Sequence, residues 1–391
     1  MFAYSLDTGR RTMVIDSGTG PRYLPTGHLV YAANGALFAV RFDPRTLGVA
    51  GPVIPLLEGV RDDFGLTHYA ISATGSLAFI PGRVFGDVGP SDIAIFDRQA
   101  SVDRLNLPVG RYESPRVSPD GKSIAFGIDD GREQSISIYP LAGGAPRRLT
   151  FDGNSRFPVW SPDGHRIAYQ ADRDGSRGIF AQDADGARPA VRLIRPDKNV
   201  VHIPDSWSPD GKHLLISEWA APARMSLSVL SIDDQQVRAF DDVQSAYPIN
   251  ATFSPNGRWI AYQASVSGSQ VFVRPFPPNP TKYQVTRTLT SSHHPVWTRD
   301  GRELLLVPGR NLFGTIAVTA EPSFTFSPIA PLPKAPFYEP GPWGVRSFDV
   351  LPDGRIVAPL SLTDGVAGDG PSRINVVLNW IAELTQRTAS R

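Results

Sequence analysis

The chain contains no cysteine, which excludes disulfides, thiolate zinc sites and a cysteine nucleophile together. It also has no apolar run near the roughly 18 residues that a membrane-crossing helix needs. Its opening, MFAYSLDTGRR, lacks the basic stretch followed by an apolar one that marks a secretory leader. An excess of charge of either sign is missing too. Lys plus Arg number 39 against 38 Asp plus Glu, so no net field draws the protein onto phosphate backbones or anionic lipid, and neither nucleic acid nor a membrane surface is an expected partner. Two catalytic signatures are absent as well. No glycine-rich loop precedes a strand lysine and no HRD or DFG segment occurs, so phosphoryl transfer has no machinery here. No G-x-S-x-G elbow and no C-terminal α/β region is present, which sets aside a propeller-type serine peptidase.

Turn formers are plentiful. With 36 Gly and 37 Pro in 391 residues, the composition argues against long helices, because both residues cost a helix interior heavily and suit turns instead. Many of them fall in one recurring hairpin: LPTGHLVY (24–31), SATGSLAF (72–79), SPDGKSIAF (118–126), SPDGHRIAY (161–169), SPDGKHLLI (208–216), SPNGRWIAY (254–262), TRDGRELLL (298–306) and LPDGRIVA (351–358). The turn glycines 27, 75, 121, 164, 211, 257, 301 and 354 follow one another at intervals of 43 to 53 residues, the period of a four-stranded propeller blade rather than of a helical repeat.

The turn chemistry accounts for the motif. Ser bonds back to the backbone, Pro presets φ, Asp or Asn tolerates the third position, and Gly takes the left-handed conformation that returns the chain. Short, nearly continuous apolar runs such as Ile167-Ala168-Tyr169 read as strands buried on both faces. Third and fourth strands follow, for example SISIYPL (135–141) and PRRLT (146–150), or GIFAQDADG (178–186) and AVRLI (190–194). One such sheet cannot bury both faces alone, so the sheets must stack, and a ring removes the exposed ends. The expectation is an all-β chain forming a single β-propeller over residues 1–391, with eight four-stranded blades and seven or six as alternatives. Residues 2–15 (FAYSLDTGRRTMVI) would supply outer strands completing the C-terminal blade at 347–385, and 386–391 would be a tail.

These hairpins resemble the WD40-like, TolB-type propeller repeat of bacterial proteins. More narrowly, residues 22–60, RYLPTGHLVYAANGALFAVRFDPRTLGVAGPVIPLLEGV, and the ending INVVLNWIAEL (374–384) are similar to the propeller region that follows the kinase domain in many bacterial serine/threonine protein kinases. The similarity covers essentially the whole chain, without the kinase domain. What the resemblance implies is a sensor or interaction propeller, in many relatives outside the cytoplasmic membrane; a free-standing version would be cytoplasmic.

Chemistry is expected where the copies stop resembling one another. His68, His202, His293 and His294 lie six to nine residues before a turn glycine, at the starts of the innermost strands, and Glu113, Arg156, Asp205, Asn250 and Arg346 share that window. Polar groups converging there form a candidate funnel-mouth site for a peptide or small ligand. Histidines scattered over blades have no diagnostic metal spacing, so neither a metal nor another cofactor is expected. His165 and His213 should sit on exposed hairpin shoulders. DRDG (172–175) and DADG (183–186) lack the later acidic ligand of a calcium loop and read as ordinary turns. Trp160, Trp207 and Trp297 recur in step with the repeat and read as packing between blades, whereas Trp343, in FYEPGPWGVRSF (337–348), breaks step in the longest interval. That stretch reads as a connector, with a lid or partner surface as the alternative.

The expected function is a non-catalytic, monomeric module that binds a protein, peptide or small ligand on its funnel face. A metal-dependent lactonase or esterase in the central channel is the alternative, with Asp205, Asn250 and Glu113 as its candidate ligands.

Overall fold

The structure, a computed structural model, describes the chain except residues 7, 16–17, 34–35, 61, 64–65, 73, 82–90, 131–132, 152–153, 174–175, 195–199, 221–223, 266–267, 288–290, 310–311, 321–322, 362–373 and 383–391. The end of the DRDG turn and the expected 386–391 tail therefore lie outside the described residues. The chain divides into two compact units, Val88–Leu362 and Met1–Asp87 with Thr363–Arg391, where one continuous propeller was expected. No helix among the described residues is long and apolar enough to cross a membrane.

The larger unit is a ring of six antiparallel sheets. Blades 1 to 5 occupy residues 111–148, 154–194, 200–245, 252–284 and 293–331 in sequence order, each starting at its innermost strand. Blade 6 takes its inner strands, Asp349–Val350 and Ile356–Ser361, from the end of the unit and its outer strands, Ser91–Phe96 and Val102–Arg104, from the beginning. The innermost strands of successive blades touch, and that of blade 6 touches both blade 5 and blade 1, which closes the ring.

The second strand of each blade explains why the sheets stack. Ile124 and Phe126 pack toward Ile93, Ile95 and Val357 of blade 6, while Ala125 packs with Ile167 and Tyr169 of blade 2. Successive side chains on a strand point to opposite faces, so a strand sandwiched between two sheets must be apolar at every position. Fully burying each such side chain is worth about 1.5–3 kcal/mol. At the tight turns the same bonds recur: Ser161 Oγ accepts from Arg166 N (2.9 Å) and donates to Asp163 Oδ1 (2.5 Å), as Ser254 and Thr298 do at theirs.

Ring closure differs from the expected one. Residues 2–15 pair with themselves, Phe2 opposite Met13, and it is Ser91–Phe96 that lies against Ile356–Ser361, with Phe96 opposite Ile356. The reason is visible in the side chains. Ile93, Ala94, Ile95 and Phe96 are all buried, as an interior strand requires, whereas Phe2, Tyr4 and Met13 are more than half exposed. All eight turn motifs do form hairpins, but only six belong to the ring.

The other two build the smaller unit. The motif at Gly27 lies in a sheet of Thr19–Leu24, His28–Ala33, Ala36–Asp43 and Gly48–Leu57, and the motif at Gly75 in one of Tyr69–Ile71, Leu77–Phe79 and Asn375–Val377. Leu24, Val30, Leu37, Leu77, Phe79 and Trp380 share one core. The INVVLNWI segment thus serves this unit and not the blade carrying Gly354. Its strand is an edge, with Ile374, Val376 and Leu378 exposed.

Candidate functional site

The innermost strands of the ring are interrupted midway. The register shifts between Glu113 and Arg116, Arg156 and Val159, Pro204 and Ser206, and His293 and Val296. Ser114, Phe157, Asn250 and His294 have φ between 48° and 57°, the left-handed region that side-chain-bearing residues seldom enter. Each interruption divides a strand into a starting half, where the copies diverge, and a turn half, where they agree.

The turn halves enclose a cavity of about 380 Å³. Trp160, Trp207, Trp297 and the turn prolines Pro119, Pro162, Pro209 and Pro255 line it, and its charged lining consists of Arg116, Asp205, Arg299, Arg346 and Asp349. The tryptophans also bridge blades as expected: Trp160 Nε1 donates to Arg116 O (3.0 Å) and Trp297 Nε1 to Thr252 O (3.3 Å). Arg299 stands where the other full motifs have proline, and its Nη2 reaches Ser118 O (2.9 Å) from blade 5 to blade 1.

Arg116 and Arg346 are buried. Arg116 Nη1 donates to the carbonyls of Pro115 (2.8 Å) and Arg346 (3.1 Å), and Asp349 Oδ2 accepts from Val117 N (2.9 Å). Arg346 Nη1 lies 3.5 Å from Asp349 Oδ1. Among the described residues, Arg116 Nε and Arg346 Nη1 nevertheless find no hydrogen-bond partner. Burial, and then the neighbouring Arg346, push the Arg116 guanidinium down to about 9, against the pull of Asp349 and Asp205. Burial pushes the Asp205 carboxyl up to about 7, although the Ser217 hydroxyl (2.6 Å), the Ala251 N–H, Arg346 and Arg116 all favour its ionised form. Desolvation outweighs these partners because no counter-charge contacts the carboxylate directly.

The starting halves look different. Of the candidate site residues named from the sequence, only Asp205 and Arg346 line the cavity. Glu113 and Arg156 satisfy each other across blades 1 and 2 through two hydrogen bonds of 2.8 and 2.6 Å. His202 Nε2 lies 3.2 Å from Glu218 Oε1. His68 belongs to the smaller unit. Asn250, His293 and His294 are buried beneath the FYEPGPWGVRSF segment. Asn250 Nδ2 donates to Gly344 O (3.0 Å), its Oδ1 accepts from Arg346 N (2.8 Å), and Gln263 Nε2 donates to Pro342 O (2.6 Å). The long connector is therefore a strap laid over blades 4 and 5, with Trp343 edge-on to Tyr247 at 5.1 Å. His165 is exposed as expected, but His213 is half-buried, its ring 5.2 Å from that of Phe276.

Sequence reasoning missed Arg116, Asp349, Ser217, Gln263 and Glu339. For the first two a signal existed: both stand five residues before a turn glycine, where the other ring copies have Val159, Ser206, Thr252 and Val296.

A closed ring of six tight-turned blades around a polar channel defines a β-propeller. Residues 91–299, more than half of the chain, match the TolB beta propeller domain family, and the chain belongs to it. Among curated relatives it is similar to the Tol-Pal system protein TolB of Francisella tularensis subsp. holarctica (strain OSU18), 31% identical over 116 residues, covering 29% of this chain and 26% of that protein. It is also similar to the uncharacterized protein Atu1656 of Agrobacterium fabrum, 28% identical over 159 residues, covering 40% of this chain and 49% of the relative. The matches thus span between a quarter and a half of these relatives. Among solved structures, the putative TolB from Agrobacterium tumefaciens superposes with a TM-score of 0.56 at 18% identity, over 69% of this chain and 98% of that one; this likeness shows the fold.

Proposed function

We propose that the ring is a non-catalytic protein-binding module whose turn-side channel receives an acidic segment of a partner. The observation that carries this reading is the excess of arginine in the cavity lining, Arg116, Arg299 and Arg346 against Asp205 and Asp349. A guanidinium fork matches a carboxylate in shape and charge. With Asp205 close to half protonated at neutral pH, three arginines face little more than one full negative charge in the lining. The tryptophan and proline rim adds the rigid apolar surface on which binding energy concentrates. The Francisella relative is named for the Tol-Pal system, which supports a protein as the partner. The kinase-linked sensor role implied by the sequence resemblance would use the same channel to receive its signal. The hydrolase alternative draws less support, because of its three candidate ligands Glu113 is held by Arg156 and Asn250 by backbone groups, and Asp205 is the one that lines the cavity.

The test is a set of labelled peptides, each acidic sequence matched by one with Asn and Gln in place of Asp and Glu, titrated by fluorescence polarisation. Acidic members should bind more tightly, and Arg299→Glu should weaken them about tenfold, near 1.4 kcal/mol, with Pro209→Arg obstructing the rim as a second variant. Equal binding of acidic and amide peptides, or binding untouched by both variants, would overturn the reading.

A further inference from the structure

Beneath the strap, two consecutive histidines and a glutamate come together. Neighbouring residues on a regular strand point to opposite faces, but the interruption at His294, with φ of 56°, brings both imidazoles to one side. Their Nδ1 atoms are 3.2 Å apart and their rings nearly perpendicular, with centroids 4.6 Å apart. Glu339, on the strap, places Oε1 3.7 Å from His293 Nε2. One ligand atom from each of the three residues lies within 4.8 Å of the others.

We infer that His293 and His294 form a site for a divalent transition ion, zinc above all, with Glu339 as the carboxylate behind His293 that ties the site to the strap. Four features support it. Two nitrogens bound at about 2.05 Å to a tetrahedral zinc lie about 3.3 Å apart, close to the spacing of these Nδ1 atoms. His294 Nε2 lies 3.0 Å from Gly344 O; a carbonyl only accepts, so Nε2 carries the proton and Nδ1 presents its lone pair toward His293. A backbone carbonyl fixing the tautomer of a metal-binding histidine is the usual outer-shell arrangement. Finally, both rings are buried, which withdraws a bound ion from competing water.

Without metal, His293 Nδ1–H donates to His294 Nδ1. Binding an ion through both Nδ1 atoms moves that proton to His293 Nε2, which faces Glu339, so no net proton is lost from the pair. Arg346 and Arg116 lie close enough to act on His294 and oppose any cation. The affinity must therefore come from the imidazoles, which favours zinc, nickel or copper over calcium and magnesium.

The full chain, stripped with chelator, is titrated with Zn²⁺ by calorimetry, and its Co²⁺ form is examined by visible absorption. The expected result is one Zn²⁺ per chain, a rise in melting temperature, and Co²⁺ bands of a histidine-ligated site. Zn²⁺ binding should weaken at least tenfold in His293→Gln and in Glu339→Gln and stay unchanged in the exposed-site control His165→Gln. Glu339→Gln alters only the strap and guards against a histidine variant that does not fold. Absence of histidine-ligated Co²⁺ bands in the unaltered chain, or Zn²⁺ binding retained in both variants, overturns the site.

Discussion

The two halves of the innermost strands put the same backbone to opposite uses. In the turn halves, residues that recur from blade to blade surround an open cavity, with Trp160, Trp207 and Trp297 at equivalent places. In the starting halves, residues that differ from blade to blade are largely consumed by one another, Glu113 by Arg156 and His294 by Gly344 and Gln263. Sequence variation between repeats therefore marks private partnerships as readily as it marks a ligand site. A pocket built by repetition is hidden from a search for exceptions.

The largest expected effect tests the residue that belongs to both halves. Asp205 diverges from the repeat yet lines the cavity, and its carboxyl is raised to about 7 from an ordinary value near 3.8. The folded state thus keeps a proton between about pH 4 and pH 7 that the unfolded chain has already released. Stability from this group is full below pH 4 and falls as pH rises through 7, by on the order of 4 kcal/mol. Asp205→Asn should remove that slope and be more stable than the parent at pH 8, with the difference vanishing toward pH 4. Urea unfolding at pH 4.5, 6 and 8 measures it. Parallel pH profiles for the two proteins would show that Asp205 is ionised in the fold.

The next effect separates the turn of blade 1 from a turn in the smaller unit. Gly121 and Gly27 have nearly the same φ, 71° and 77°, but a methyl group on Gly121 would lie 2.6 Å from Pro352 Cγ, while nothing lies within 4 Å of one on Gly27. Gly27→Ala should cost about 1 kcal/mol, the penalty for a left-handed alanine. Gly121→Ala should cost about 2–3 kcal/mol, because the proline of blade 6 must also shift. Equal losses in denaturant titrations would mean that the turns of blades 6 and 1 are not packed together, and would remove one observation behind ring closure.

How much of this was legible depended on whether the cause was local. A tight turn is specified by four residues in a row, so all eight hairpins and the left-handed turn glycines could be read directly. Ring closure is set by Ser91–Phe96 choosing Ile356–Ser361 across some 260 residues, and no local pattern announces that choice. The decisive clue was two-sided apolarity: Ile93 to Phe96 can be buried on both faces and residues 2–15 cannot. At the site, distance from the turn glycine located Asp205, Arg346, His293 and His294. Arg116 and Asp349 stand five residues before their turn glycines, one residue closer than that window reaches. Glu339 had no equivalent in any repeat, and only the strap's path over blade 5 brings it to the histidines.

The smallest expected effect lies wholly in the repeated half. Ser161 Oγ accepts one backbone N–H and donates to Asp163, whose carboxyl is held below the ordinary range by that bond first, despite some desolvation, and then by the His165 N–H. Ser161→Ala should cost about 1 kcal/mol, the usual net worth of one partly buried hydrogen bond. Because the turn bonds close on themselves, this loss should leave acidic-peptide affinity within twofold of the parent, whereas Arg299→Glu should weaken the peptide about tenfold while losing a similar stability of about 1 kcal/mol with its bond to Ser118 O. If Ser161→Ala weakens peptide binding as much as Arg299→Glu does, the turns would be part of the recognition surface itself rather than the frame that holds the cavity open.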